Sequence, residues 1–213
     1  MTGWTAIVPV KPWHLAKSRL QAPHRASLAR AFTLDVLDAA MASDLVERIV
    51  VVSAERGLVD ETRRRGIALV VDRPAVATGG LNTAVNHGWQ WARRTAPRDP
   101  LVVLPADLPC LDAQALDDAL ARLAEHDLAF VPDADDIGTT LLSGSTPDHL
   151  RSAYGPGSAA RHERLGLARV PGAGLAVRRD VDTLDDLTAA VEIGVGPHTA
   201  AVLQDHDTQA RTA

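Results

Sequence analysis

The chain has 213 residues, enough for one sizeable α/β domain with a full core. Its formal net charge of -5 provides no broad basic field, which argues against nucleic acid as a partner and leaves any anionic ligand to a local cluster of cations. A single cysteine, Cys110, excludes an intrachain disulfide framework and a multi-cysteine zinc site, and no stretch approaches the roughly 18 apolar residues of a membrane span.

The amino terminus enters an apolar strand, Trp4 to Val10, without a charged leader, so a soluble, cytoplasmic protein is expected. Lys11 to Pro23 form a polar, basic loop whose prolines a helix interior would not tolerate. From about Arg25 to Ala42 the chain reads as a helix with Leu28, Phe32 and Val36 on one face. A second buried strand, Arg48 to Ser53, and a short charged helix, Glu55 to Arg65, lead through Gly66 into IALVVD, a third strand closed by Asp72. The run RPAVATGG is rich in turn formers, after which LNTAVNHGWQWARR resumes helical spacing. This alternation predicts a Rossmann-like, mostly parallel sheet with helices on both faces.

Leu101 to Leu104 supply the next strand, Asp112 to His126 the next helix, and Leu128 to Val131 another strand. From Pro132 the pattern loosens through PDADDIGTTLLSG. GLAVRRDVDT reads as a final strand ending at Asp180 and Asp182, and Thr183 and Asp186 have the spacing of a capping box before TLDDLTAAVEIG. Residues 1–196 are thus expected to form a single domain, and 197–213 a polar tail, frayed or disordered at its end.

Ligands in open α/β sheets collect at the carboxyl ends of parallel strands, which draws attention to LVVLPADLPCLD. Asp112 directly precedes a helical run and is the better cap, so Asp107 is left without an obvious structural duty. Cys110 beside it reads as a small packing residue. The loop after the first strand carries Lys11, Lys17 and Arg19, which can hold a polyphosphate through charge-assisted hydrogen bonds or serve as an ordinary solvated basic loop. Asp107, Asp180 and Asp182 form the matching half. Magnesium takes one or two protein carboxylates with waters and substrate phosphates, although Asp182 also suits a helix cap. Between them lie GTT at 138–140 and YGPGSAARH at 154–162, whose hydroxyls and glycine amides can bind acidic oxygens and to which Arg161 and His162 add positive charge. Neither phosphate-binding glycine motif, G-x-x-x-x-G-K-[ST] or G-x-G-x-x-G after the first strand, is present. The eight histidines show no H-E-x-x-H spacing, and no G-x-S-x-G elbow occurs.

Taken in order, VPVKP, AKSRL, GGLNTAV, LPADLPCL, GTT, YGPGSAARH and DVDTLDDL resemble the guanylyltransferases of deazaflavin coenzyme F-420 biosynthesis, the CofC or FbiD type, within the wider MobA-like class. The likeness runs from about Ala6 to Gly196. It implies a nucleotide-diphospho-sugar-transferase-like fold and transfer of GMP from GTP to a phosphorylated three-carbon acid with release of pyrophosphate. Phosphoenolpyruvate is the favoured acceptor, giving enolpyruvyl-diphospho-5'-guanosine, with 2-phospho-L-lactate the alternative; Mg2+ is the implied cofactor, and the resemblance allows hand-over of the product to a downstream transferase. Other nucleotides or acceptors of the same fold, or a non-catalytic GTP-binding protein, are the rival readings.

By position the resemblance makes Asp107 and Asp180 metal carboxylates, with Asp182 a further ligand or cap. Thr139, Gly155 and Ser158 become acceptor-binding residues, and Lys11, Lys17 and Arg19 the triphosphate loop, with Lys11 and Lys17 also catalytic beside Asp107. Gly80 and Asn82 fall where the base or ribose would lie. Leu184 and Tyr154 replace a proline and a phenylalanine common in the family and touch no implied ligand.

Overall fold

A computed structural model describes residues 3–17, 19–20, 24–71 and 80–212, with side chains through His206. Asp72 and the turn-forming residues 73–79 lie outside the described residues. Among the described residues seven strands form one sheet: β1 (Trp4–Val10), β2 (Val46–Ser53), β3 (Ala68–Val71), β4 (Leu101–Val103), β5 (Leu128–Pro132), β6 (Thr139–Gly144) and β7 (Ala168–Arg169). Their order is β3-β2-β1-β4-β6-β5-β7, and only β6 runs against its neighbours. Strand β6 follows β5 through a short connection with no crossover helix, and a connection of that kind permits only antiparallel pairing.

Alternate residues of the buried strands serve opposite faces of the sheet. Ala6, Val8, Val51, Val102 and Leu104 enter a core covered by α1 (Arg25–Ala42), α2 (Leu58–Arg65), α4 (Ala113–Leu123) and α6 (Leu175–Arg178). Ile7, Val50, Val52, Leu101 and Val103 enter a second core beneath α3 (Gly80–Thr95) and α5 (Ser158–Arg164). Burial on both faces explains why the strands read as unbroken apolar runs. Helix α3 lies close on the sheet because residue 88 is glycine, and a Cβ there would stand 2.4 Å from Ile7 Cγ2.

Beginning at β1, the chain winds outward through β2 and β3, then returns to place β4 on the other side of β1. The gap beyond the carboxyl ends of β1 and β4 is therefore the point where the winding reverses, the usual place for a ligand crevice. Among the described residues no helix is long and apolar enough to cross a membrane.

Two expectations are corrected. GLAVRRDVDT is not a strand: Leu175–Arg178 form the single-turn helix α6, and residues 179–183 are irregular. Val177 is fully buried, and the Arg178 guanidinium donates to the carbonyls of Pro132, Asp133 and Pro171, contacts that fix a compact turn instead of a sheet partner. The tail is helical as well, α8 (Pro197–Thr212), docked on α1. Its first-turn amides, those of His198 and Thr199, donate to the buried carboxylate of Asp35 at 2.9 and 3.0 Å, and the Thr199 hydroxyl donates at 2.6 Å. This cap comes from 163 and 164 residues away in sequence, so no local pattern announces the helix. The remaining helix, α7 (Leu184–Ile193), starts at the expected capping box, with Thr183 and Asp186 exchanging hydrogen bonds, and Asp112 caps α4 by accepting from Ala115 N.

Candidate active site

A cavity of about 920 Å³ opens where β1 and β4 end. That is the upper part of the range of small-ligand sites and is ample for a nucleoside triphosphate. Its wall includes Lys11, Lys17 and Arg19 from the loop after β1, Gly80 and Leu81 from the start of α3, and Asp107 and Asp182. The loop is braced from the segment after β2: Glu55, itself fixed by the backbone N–H of Gly57 at 3.0 Å, accepts from the backbone N–H of Trp13 at 3.1 Å. The Trp13 indole N–H donates to Thr33 on α1, and Arg30 lies over its ring. In the sequence Glu55 carries no signal, being an isolated glutamate after a strand.

Lys17 is the centre of the charge arrangement. Its ammonium donates to Asp107 Oδ2 at 2.6 Å and to Asp182 Oδ1 at 3.0 Å, with the side chain only 8% exposed. Burial opposes the charge, but Asp107 and then Asp182 outweigh it, and the lysine pKa is raised above its ordinary value. The Lys17 backbone adopts a left-handed conformation, φ 53°, unusual for a residue with a side chain. Arg19 is mostly exposed, 3.7 Å from Asp182. Lys11 is exposed at the rim and makes no hydrogen bond or ion pair among the described residues.

One backbone contact brings Asp180 and Asp182 to Asp107, and of the two Asp182 lines the cavity while Asp180 does not. Val181 N–H donates to the carbonyl oxygen of Asp107 at 3.1 Å, and the Val181 side chain is fully buried, so the flanking aspartates are brought beside Asp107. Burial, and next the Asp107 charge, push the Asp180 carboxyl up to about 7. The three aspartates do not form a ready metal cage: among the described residues no group of three or more His, Cys, Asp or Glu side chains is arranged to hold an ion. The Lys17 ammonium stands between Asp107 and Asp182 and offsets one of their two charges.

Thr139, Gly155 and Ser158 lie outside the wall of this cavity, and His162 ties Thr139 to the segment that precedes Gly155. The Thr139 hydroxyl is 2.9 Å from His162 Nδ1, and Ala153 N–H donates to His162 Nε2 at 3.0 Å. Accepting at Nε2 requires an unprotonated nitrogen there, so the ring is neutral. Full burial, with Arg161 nearby, lowers its pKa to about 4. His162 is therefore no source of positive charge, contrary to the sequence expectation. Gly155 has φ 132°, and a Cβ there would stand 2.9 Å from Arg161 Nη1. Ser158 begins α5 and is buried.

Asn82 departs most from expectation. It does not line the large cavity but a smaller recess of about 270 Å³ between α3 and residues 150–152. Its amide is committed to the protein: Tyr154 N–H donates to Oδ1 at 2.9 Å, Nδ2 donates to the Tyr154 carbonyl at 2.9 Å, and the Ser152 hydroxyl also donates to Oδ1. Cys110 has the packing role expected of it, buried with its thiol against the Ala190 carbonyl, and burial raises its pKa to about 11.

A doubly wound sheet with a nucleotide-sized cavity at its reversal point, cations from the loop after β1 and carboxylates beyond β4, defines a nucleotidyltransferase framework. Residues 4–205 match the family described as guanylyl transferase CofC like, and the chain belongs to that family. It is 42% identical over 204 residues to a phosphoenolpyruvate guanylyltransferase of Streptomyces scabiei, covering 93% of this chain and 94% of that one. Among solved structures, the fold is similar to that of a nucleotide-diphospho-sugar transferase from Desulfovibrio desulfuricans G20, with TM-score 0.70, 19% identity and coverage of 100% and 98% of the two chains. It is also similar to Rv0371c from Mycobacterium tuberculosis H37Rv, solved in complex with manganese, with TM-score 0.54, 19% identity and coverage of 90% and 99%.

Proposed function

We propose that the protein transfers GMP from GTP to phosphoenolpyruvate, forming enolpyruvyl-diphospho-5'-guanosine and pyrophosphate, as a step of coenzyme F-420 biosynthesis. The observation that carries the reading is the Lys17 ammonium set between Asp107 and Asp182 at the wall of a triphosphate-sized cavity. In this reading Lys11, Lys17 and Arg19 hold the triphosphate, Gly80 borders the base or ribose, and Thr139, Gly155 and Ser158 receive the acceptor.

A phosphate monoester with a second pKa of about 6 is already largely dianionic at neutral pH. One of its oxygens attacks the α-phosphorus of GTP, the new P–O bond forms as the bond to the bridging α–β oxygen breaks, and pyrophosphate leaves with that electron pair. No protein base is required. The chain's work is to align the two substrates and neutralise charge, and Lys17 is the group best placed to follow negative charge onto the leaving pyrophosphate.

The donor set suits a hard divalent cation bound by one or two carboxylates with phosphate oxygens, because all the candidate ligands are oxygen and the Asp180 carboxyl, raised by burial and by Asp107, would gain from a cation beside it. Asp107 with Asp180 or Asp182 would hold Mg2+, which when bound withdraws charge from the reacting phosphates. The manganese complex of the similar fold supports the choice of a divalent ion. In this reading the protein is cytoplasmic, has no nucleic-acid partner, and passes its product to a downstream transferase.

The decisive experiment supplies purified protein with GTP, Mg2+ and either phosphoenolpyruvate or 2-phospho-L-lactate and measures pyrophosphate. Release with phosphoenolpyruvate is expected. No release with either acceptor, under conditions where GTP binds, would sink the assignment.

A further inference from the structure

The amide of Asn82 does for the chain at Tyr154 what a neighbouring strand would do: it accepts from the backbone N–H and donates to the backbone C=O of the same residue, both at 2.9 Å. Among side chains of this length only asparagine carries both functions. Aspartate lacks the donor and serine is too short to reach both groups. Ser152 adds a third bond to Oδ1. On its other side the same segment is held by His162, which accepts from Ala153 N–H, and by β6, where the buried Tyr154 hydroxyl donates to the Thr140 carbonyl at 3.2 Å. The segment thus has three independent attachments and leads directly into Gly155 and Ser158.

Asn82 also stands in the first turn of α3, whose opening residues Gly80 and Leu81 border the large cavity. One side chain therefore links the helix beside the nucleotide cavity to the segment that precedes the acceptor residues. We infer that Asn82 is a positioning residue for the acceptor and not a nucleotide contact: it sets the placement of residues 152–155, and through them Gly155 and Ser158, relative to α3. The inference rests on the proposed reading of Gly155 and Ser158 as acceptor-binding.

The test uses Asn82→Ala, Asn82→Asp and Ser152→Ala in the full chain. For Asn82→Ala the expected result is an acceptor KM raised by about tenfold or more, as for loss of positioning hydrogen bonds, with the Kd for GTP alone within about twofold of wild type by calorimetry. Amide exchange at Tyr154 should quicken by a similar factor. Asn82→Asp keeps the acceptor oxygen and loses the donor, so it should fall between the two. Ser152→Ala should shift acceptor KM in the same direction and combine with Asn82→Ala less than additively. A raised Kd for GTP with unchanged acceptor KM would assign Asn82 to the nucleotide and overturn the inference, as would an unchanged acceptor KM in both Asn82 variants. If wild type itself releases no pyrophosphate with either acceptor, the proposed function fails and this inference with it. If wild type turns over and the variants match it, the inference alone fails.

Discussion

Lys17 and Asp107, 90 residues apart in sequence, meet at 2.6 Å, and the same ammonium reaches Asp182 at 3.0 Å. One cation thus offsets part of the charge of two carboxylates at the wall of the cavity proposed to take GTP. Replacing it with a neutral side chain of similar length, Lys17→Met, is expected to lower kcat by about 100-fold or more, the scale seen when a charge aimed at developing negative charge is removed. The same variant should bind Mn2+ more tightly in the absence of nucleotide, because Asp107 and Asp182 lose their resident counter-ion. Paramagnetic titration of free Mn2+ checks this, and unaltered Mn2+ affinity would show that Lys17 and the metal do not share these oxygens.

The neutral His162 makes stability depend on pH. Its folded pKa of about 4 lies below the ordinary 6.5, so between those values the unfolded chain takes up a proton that the folded chain refuses. Its contribution is fully present above 6.5 and is lost as pH falls toward 4, amounting to about 3 kcal/mol at 1.36 kcal/mol per unit. Asp180, raised to about 7, acts in the opposite sense over much of the same range, so the informative quantity is the difference between variants. His162→Gln keeps an acceptor for Ala153 N–H without titrating. Urea unfolding at pH 7 and pH 5 should show wild type losing more stability than His162→Gln on acidification.

Gly88→Ala tests the seating of α3. On propensity alone alanine would stabilise a helix interior by up to about 1 kcal/mol. Here its methyl would lie 2.4 Å from Ile7 Cγ2 and 3.1 Å from Val52 Cγ2, both in the buried sheet. Overpacking of this kind costs about 1 to 3 kcal/mol, so the net effect is destabilising. Because α3 would be lifted at the edge of the cavity, GTP affinity should fall with stability, and thermal unfolding followed with and without GTP resolves the two effects.

Asp35→Ala tests the docking of α8. The variant leaves two backbone amides and a hydroxyl at the helix start without their acceptor, at a site where Asp35 is only 3% exposed. Loss of about 2 kcal/mol is expected from the missing cap and the buried unpaired donors. Hydrogen exchange in α8 should rise before that of the sheet. Exchange that rises equally everywhere would mean that α8 does not open as a separate unit.

Sequence alone determined those features whose causes lie within a few residues. Apolar runs in β1, β2 and β4, the face of α1 marked by Leu28, Phe32 and Val36, the Asp112 cap and the Thr183–Asp186 box all follow from period and local hydrogen bonding. The residues after β1 and β4 could be picked out as site candidates because chain direction in a parallel sheet places those loops at one edge. Their meeting could not. That Lys17 sits between Asp107 and Asp182, that Val181 is bound to the Asp107 carbonyl, and that Asn82 turns from the large cavity to Tyr154 depend on the strand order and on chain segments many residues apart. The short helix at Leu175–Arg178 and the helix α8 are not legible in the sequence for the same reason. Buried side chains and carboxylates supplied from elsewhere decide those conformations, and only the folded arrangement brings them within hydrogen-bonding reach.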